Sequence, residues 1–215
     1  KDKNIILLTD ANATAGKIYA SLNKCMKDLD SNDLFVFYFA GHADTESIED
    51  GAESFLMAHD SEKNAYHQGG TLSAKNLEKY IQQVVAKNAN AIVVIDACRS
   101  GNYDLVGSLQ GIEFTHKNFR KMSQSEIRIL SSQHNQKSEE TGKLGEGRGV
   151  FSYYLEQALS GPSDYSKDGT IQINEIDLFV TNSVKEYTGG NQTPKFEVDD
   201  SSYPFSSIIN FSNSE

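Results

Sequence analysis

The sequence predicts an α/β fold, a three-layer α/β/α sandwich with a mostly parallel central sheet. Two wholly apolar runs, Leu34–Ala40 and Ala91–Ile95, are typical of strands that are buried on both faces. An amphipathic helical pattern precedes each of these runs, and another apolar run, Ile127–Leu130, follows later. Strands that alternate with helices imply right-handed crossovers and parallel pairing.

The remaining elements follow from the same periodicities. The predicted strands are, in chain order, Ile5–Leu8, Leu34–Ala40, Phe55–Ala58, Ala91–Ile95, Ile127–Leu130, Phe196–Val198 and Ser207–Phe211. The predicted helices are the stripe from Ile18 to Leu29 capped by Thr14, the stripe from Leu77 to Val85 capped by Ser73, Val150–Leu159 and Glu175–Tyr187. Cys25 lies on the first helical stripe, and we assign it to the core.

Composition is typical of a single globular domain, and 215 residues are enough to bury a substantial core. Thirty acidic and twenty basic residues give a net charge of −10, which disfavours nucleic acids and anionic membranes as partners. No apolar run is as long as a membrane span, and the N-terminus does not resemble a signal peptide. Two cysteines in unlike settings argue against a disulfide framework, and unpaired thiols favour a reducing, cytoplasmic compartment.

Reactive side chains directly follow two of the predicted buried strands. His42 comes after Leu34–Ala40, and Asp96-Ala-Cys-Arg-Ser-Gly101 comes after Ala91–Ile95. Ligands and chemistry collect at the carboxyl ends of parallel strands, where a thiol and an imidazole form a nucleophile and its base. Taken separately, Cys98 fits a small core residue and His42 a surface residue. Their coincidence at two strand ends favours a Cys98/His42 dyad.

The arrangement resembles the caspase-like cysteine peptidases. The caspase signature is Gln-Ala-Cys, then Arg, Gln or Gly, then Gly, with a histidine about 50 residues upstream. Here His42 precedes Cys98 by 56 residues, and Asp96 with the extra Ser100 is closer to the metacaspase and bacterial branch. Three further segments resemble bacterial members and extend the similarity over most of the chain: Ser131-Ser-Gln133, Gly149–Gly161 and Gln192-Thr-Pro194.

The resemblance implies a cysteine endopeptidase that acts on protein or peptide substrates. It implies that the backbone N–H groups of Cys98 and Ala43 bind the oxyanion, although Ala43 replaces the family's usual glycine. It further implies that Asp96 binds an Arg or Lys side chain of the substrate. The alternative role for Asp96 is to cap its own loop. Arg99 is interpreted as a structural ion-pair partner.

Residues 102–126 form a long connection without clear periodicity, interpreted as an inter-subunit-type linker. A tethered basic segment is presented to the catalytic thiol at high effective concentration, which predicts self-cleavage after Lys117, Arg120 or Lys121. The glycine-rich loop with Lys143 and Arg148 is the second choice. The chain, treated as one domain over residues 1–215, begins after the position of the family's first strand and helix. We therefore expect an N-terminal segment or a partner to complete the fold.

The segment Asp164–Glu175 fits the calcium-loop pattern except at Ser166. A turn followed by a helix cap at Asn174 explains the same residues, so we assign no metal and no required cofactor and keep calcium as the weaker alternative. Other polar stretches are interpreted as solvated surface, namely Asp44–Glu53, His59 and His67.

Two other functions stay open beside the endopeptidase. The first is a catalytically silent caspase-like module that serves as an interaction or scaffold domain. Such modules typically lack the histidine or the cysteine, whereas this chain keeps both. The second is another acyl-transfer enzyme such as a thioesterase, which predicts a nucleophile between two glycines in a strand-to-helix turn; the first glycine is absent before Cys98. The sequence therefore favours an endopeptidase that cuts after Arg or Lys.

Overall fold

The computed structural model describes residues 4–48, 51–63, 65–99, 126–133, 136, 138–145, 147–198 and 209–210. The strands are β1 (Leu34–Ile48), β2 (Gly51–Met57), β3 (Thr71–Ser73), β4 (Asn90–Arg99), β5 (Glu126–Leu130), β6 (Glu140–Thr141), β7 (Arg148–Gly149), β8 (Thr170–Ile171), β9 (Lys195–Val198) and β10 (Ile209–Asn210). The α-helices are α1 (Ala15–Asp28), α2 (Ala74–Ala86), α3 (Val150–Leu159) and α4 (Ile173–Tyr187).

Six strands form one mixed sheet in the order β3-β2-β1-β4-β5-β9. Its centre is mostly parallel and helices flank it, which confirms the predicted α/β fold. The pairs β1–β2, β2–β3 and β5–β9 are antiparallel. Two small two-stranded sheets, β6–β7 and β8–β10, complete the described strands. None of the described helices is long and apolar enough to cross a membrane.

The chain divides into two compact units. The first consists of residues 1–35, 41–91 and 99–121, and the second of residues 36–40, 92–98 and 122–215. Strands β1 and β4 contribute residues to each unit.

Helices α1 and α2 of the first unit form where the sequence predicts them. Thr14 accepts a hydrogen bond from the Lys17 backbone and Ser73 accepts one from the Asn76 backbone, so both predicted caps are confirmed. The apolar faces of the two helices are buried, as Leu22, Met26, Leu77, Ile81 and Val84 show. Cys25 is only half-buried and lies beside this core.

Strand β1 is longer than predicted. Its second half pairs with β2 from His42 opposite Met57 to Ile48 opposite Gly51. The acidic segment Asp44–Glu53 is therefore largely a hairpin, and its interpretation as a solvated loop was wrong. The reason is that its carboxylates find donors distant in sequence: Tyr66 Oη donates to Asp44 at 3.1 Å, and His67 Nδ1 lies 2.7 Å from Glu46 Oε2.

The predicted opening strand Ile5–Leu8 does not form. Ile5 is 71% and Leu7 80% exposed, and no described strand pairs with this run. An apolar run becomes a strand only where a neighbour supplies its hydrogen bonds.

The core of the second unit is built by β4, β5, β8, α3 and α4. It contains Ile92, Val94, Ile127, Ile129, Val150, Phe151, Leu155, Ala158, Ile171, Ile173, Ile176, Val180 and Val184. Helix α3 has the predicted bounds, whereas α4 begins two residues earlier than predicted. This core anchors the segments around Asp96.

Candidate active site

Asp96 lies near the carboxyl end of β4, after the buried residues Ala91–Val94. The strand runs further than the predicted Ala91–Ile95, and the Ser131 N–H donates to the Ile95 carbonyl at 2.9 Å beside it. The side chain of Asp96 is turned inward, and the residue is only 9% exposed. A buried carboxylate requires hydrogen-bond partners, and the surrounding segments supply them.

The Asp96 carboxylate has a serine hydroxyl as its hydrogen-bond partner. Ser131 hydrogen-bonds to it, and Ser138 Oγ makes a close hydrogen bond to Ser131 Oγ. Burial raises the pKa of Asp96 to about 6; the Ser131 hydrogen bond opposes this rise and the charge of Glu140 adds to it.

Gly149 and Tyr38 enclose the other side of this carboxylate. A Cβ added at Gly149 would lie 3.2 Å from Asp96 Oδ2 and 3.3 Å from Ser152 Oγ, so the missing side chain allows the backbone to approach. Ser152 Oγ donates to the Gly149 carbonyl at 3.0 Å and is hydrogen-bonded to the Tyr38 hydroxyl. Burial, followed by the nearby Asp96 charge, raises the pKa of Tyr38 to about 12, so its hydroxyl stays neutral at physiological pH.

We call these residues, Asp96, Tyr38, Ser131, Gly149 and Ser152, the Asp96 cluster. It combines one carboxylate with three hydroxyl groups and an aromatic ring, and the Tyr38 residue is 47% exposed. A desolvated carboxylate gains strongly from a cationic partner. The cluster is therefore chemically suited to a guanidinium or ammonium group.

The predicted dyad residues lie within strands. His42 is exposed and pairs with Met57 inside β1, which corrects its predicted position beyond the end of a strand. The strand continues because β2 pairs with it through this region. Ala43, which pairs with Leu56, is half-buried.

Other predicted site residues lie at the limits of the described structure. Cys98 lies in β4, but its side chain and that of Arg99 fall outside the described residues. The predicted cleavage positions Lys117, Arg120 and Lys121 also fall outside them. Their assigned roles stay predictions.

The Asp164–Glu175 segment forms a turn followed by a helix cap. Asp164 Oδ2 accepts a hydrogen bond from the Gly169 N–H at 3.0 Å. Glu175 accepts from the N–H groups of Ser166 and Gln172, each at 2.9 Å, and these bonds hold the pKa of its carboxyl below the usual value. The cap of α4 is Gln172, which forms a reciprocal capping box with Glu175; the predicted cap at Asn174 was wrong.

Most of the Asp96 cluster was not assigned from the sequence. A signal for Ser131 was present, because it directly follows the apolar run Ile127–Leu130 as Asp96 follows the apolar run Ala91–Ile95. Gly149 lies in a segment that carried the family resemblance. Tyr38 gave no separate signal, because it lies inside an apolar run in which one hydroxyl does not interrupt the pattern.

The chain belongs to the caspase domain family, whose profile it matches over residues 7–205. This membership places it in a family of cysteine peptidases with an α/β fold. The structure is similar to that of protein GSU0716 from Geobacter sulfurreducens, with a TM-score of 0.58 and 17% identity over 94% of this chain and 82% of that chain. At that identity the similarity concerns the fold. None of the curated proteins matches the sequence significantly.

Proposed function

We propose that this protein is a cysteine endopeptidase that cleaves peptide bonds after Arg or Lys. The observation that carries the proposal is the buried Asp96 carboxylate, which lies two residues before Cys98 in β4 and is bordered by hydroxyl groups. Family membership supports the reaction class, and the Asp96 cluster supports the preference for a basic side chain.

In the proposed mechanism, the Cys98 thiolate attacks the carbonyl carbon of the scissile bond. His42 takes the thiol proton and later donates it to the leaving amine. The backbone N–H groups of Cys98 and Ala43 bind the oxyanion of the tetrahedral intermediate. Water then hydrolyses the acyl-enzyme and restores the thiol.

Asp96 discriminates between substrates by charge. A guanidinium forms two parallel charge-assisted hydrogen bonds with a carboxylate, and an ammonium forms one or two. The half-exposed ring of Tyr38 adds a π-face that favours cations. An acidic substrate side chain would instead meet like charge in a desolvated site, at a cost of several kcal/mol.

Self-processing is the second part of the proposal. Its support is the presence of Lys117, Arg120 and Lys121 in the 102–126 connection and the covalent tether of that connection to the strand that carries Cys98. The alternative position, the loop around Lys143, has an exposed lysine between β6 and β7.

A fluorogenic peptide panel that varies only the residue before the cut tests the specificity. Wild type should prefer Arg and Lys. Asp96→Asn should lose roughly 2–5 kcal/mol of transition-state stabilisation for these substrates, or some 30-fold to several thousand-fold in kcat/KM. Asp28→Asn, which changes an exposed aspartate paired with Lys24, is the matched control and should leave kcat/KM unchanged. A wild-type preference for Asp would overturn the proposed pocket.

A peptide-based electrophile separates the enzyme from a catalytically silent module. Wild type should form one covalent adduct, at Cys98, whereas Cys98→Ala should form none. His42→Ala should react much more slowly because the thiolate is no longer supported by a base. Absence of labelling in the wild type would favour the silent interaction module.

A further inference from the structure

Gln192 is a polar residue whose side chain is completely enclosed by the second unit. It lies between α4 and β9 and is 0% exposed. The Gln192-Thr-Pro194 segment contributed to the family resemblance, but neither the dyad nor the Asp96 cluster uses it. A buried carboxamide must satisfy both a donor and an acceptor, so its partners indicate what it holds in place.

Both ends of the Gln192 carboxamide bind main-chain groups. Nε2 donates to the Ser131 carbonyl at 2.8 Å, and Oε1 accepts from the Glu139 N–H at 2.8 Å. The Gln192 N–H in turn donates to Thr188 Oγ1 at 3.1 Å. Reversing the carboxamide would set donor against donor and acceptor against acceptor, so its orientation is fixed.

The two main-chain partners lead directly to Asp96. Ser131 carries the hydroxyl that hydrogen-bonds to the Asp96 carboxylate. The Val150 N–H donates to the Glu139 carbonyl at 2.8 Å. Val150 directly follows Gly149, whose backbone lies against Asp96. Gln192 thus links the segments on two sides of the carboxylate.

We propose that Gln192 is a positioning residue for the Asp96 cluster. Its carboxamide holds the main chain at Ser131 and Glu139, and thereby keeps the Ser131 hydroxyl and the Gly149 backbone against the Asp96 carboxylate. Its effect on peptide cleavage rests on the proposed function. Its effect on the Asp96 carboxylate does not, and can be measured without a substrate.

The groups around Asp96 determine in which direction its pKa is expected to change. Tyr38 faces it from β1 and Glu140 from β6, while Ser131 supplies the hydrogen bond that favours the ionised form. Loss of the Ser131 hydrogen bond would leave burial and like charge unopposed, so the pKa of Asp96 would rise further.

Gln136 offers a matched control. Its Nε2 lies 3.3 Å from the Gly190 carbonyl and 3.3 Å from Thr193 Oγ1, and its Oε1 accepts from the Thr193 N–H at 2.7 Å. Its Oε1 also accepts from the Gln133 N–H at 3.4 Å. Gln136 therefore links the same two loops as Gln192, but its side chain hydrogen-bonds neither Ser131 nor Glu139. Gln136→Met removes a loop-to-loop link but leaves the Gln192 bonds to Ser131 and Glu139 in place.

The experiment compares Gln192→Met with Gln136→Met by ¹³C NMR of the aspartate carboxyl carbons. The Asp96 signal is identified as the one missing from Asp96→Asn. Gln192→Met should raise the Asp96 pKa by about 0.5–1 unit, the equivalent of one lost hydrogen bond, and Gln136→Met should not. If Gln192→Met does not fold, Gln192→Asn, which keeps a neutral amide but is one methylene shorter and cannot span both main-chain partners, is measured against the same criterion.

Kinetics on Arg peptides give a second readout. Gln192→Met should lower kcat/KM by roughly 10- to 100-fold, because the Asp96 carboxylate is misplaced. The acid limb of the pH profile of kcat/KM should move to higher pH, because the carboxylate ionises at higher pH. An unmoved Asp96 pKa, or an equal rise in both variants, overturns the positioning role. A selective pKa rise in a protein whose wild type cleaves no peptide supports the role of Gln192 and overturns the proposed function.

Discussion

Burial of the ionised Asp96 carboxylate destabilises the folded protein. Its pKa of about 6 in the folded protein lies above the ordinary value of 3.8, so the folded chain holds a proton that the unfolded chain has released. Between these two values the free energy of unfolding therefore falls as pH rises. A carboxylate kept at this cost is typical of a site selected for binding rather than for stability.

Replacing this carboxylate should stabilise the protein. Asp96→Asn should raise the free energy of unfolding at about pH 7.5 by up to about 3 kcal/mol, and the gain should shrink toward zero near pH 4, where Asp96 is protonated in the folded protein. Urea unfolding at several pH values measures both quantities. Asp28→Asn, at an exposed position, should show neither effect, and a gain that is independent of pH would contradict the linkage.

The same ionisation should control substrate choice. We compare kcat/KM for Arg peptides with that for citrulline peptides, which are similar in shape but uncharged. The ratio should rise with pH through about 6, since only the ionised Asp96 favours the cation. Because both substrates use the same dyad, the contribution of the dyad to kcat/KM cancels in the ratio. A flat ratio would assign the recognition of Arg to other residues.

At the scale of single elements, the capping box at the start of α4 should contribute measurably to stability. Glu175→Ala removes the acceptor of the Ser166 and Gln172 N–H groups and should cost about 1 kcal/mol at neutral pH. Since the folded-state pKa of Glu175 is lowered, the cost should disappear as pH falls through that pKa. Glu186→Ala, at the other end of the same helix, is the control and should not destabilise it.

Calcium should leave the melting temperature unchanged. The Glu175 carboxylate and one oxygen of Asp164 already accept backbone N–H groups, and among the described residues no three His, Cys, Asp or Glu side chains form a metal-binding group. Thermal unfolding of chelator-treated protein with and without added Ca²⁺ checks this. An increase in Tm with Ca²⁺ would favour the calcium-loop alternative.

The elements that could be predicted from the sequence are those that depend on local contacts. Helices α1 and α2 and their caps at Thr14 and Ser73 depend on residues within a few positions, so periodicity was sufficient. The β1–β2 hairpin depends on Asp44 and Glu46 meeting donors about 20 residues away, and charge alone predicted a loop. For the same reason Asp96 was predictable from its position before Cys98, whereas the hydroxyls of Ser131 and Ser152 come from other elements.

At the scale of the whole molecule, self-processing should depend on the catalytic thiol. Purified wild type should contain internal termini after Lys117, Arg120 or Lys121, and Cys98→Ala should retain its full intact mass. Intact-mass and terminal-peptide mass spectrometry decides this. Adding a trace of wild type to Cys98→Ala distinguishes two routes. Cys98→Ala is cut if cleavage occurs between molecules, and it stays intact if each molecule cleaves only itself. Identical intact masses without internal termini would refute self-processing.

General rules of α/β folds predict the fold class of this chain but not the pairing of its edge strands. Alternation of strands and helices was sufficient to predict the α/β class, because crossover connections are constrained in handedness and position. The order β3-β2-β1-β4-β5-β9 includes antiparallel edges. Parts of β2 and β9 were predicted as the strands Phe55–Ala58 and Phe196–Val198, but their partners and directions depend on the pairing register, for which periodicity gives little signal.

The way in which Gln192 is bound has a consequence for how this family can diverge. Its carboxamide binds the carbonyl of residue 131 and the N–H of residue 139, groups that every amino acid except proline provides. Related chains are therefore free to exchange the side chain at position 139 for any residue but proline, while glutamine at position 192 has no substitute of equal length with both a donor and an acceptor. An alignment of relatives should show a variable column at 139 beside a nearly invariant glutamine at 192. A variable position 192 beside a conserved position 139 would contradict this expectation. It would mean that selection preserves the side chain of residue 139 and not its backbone.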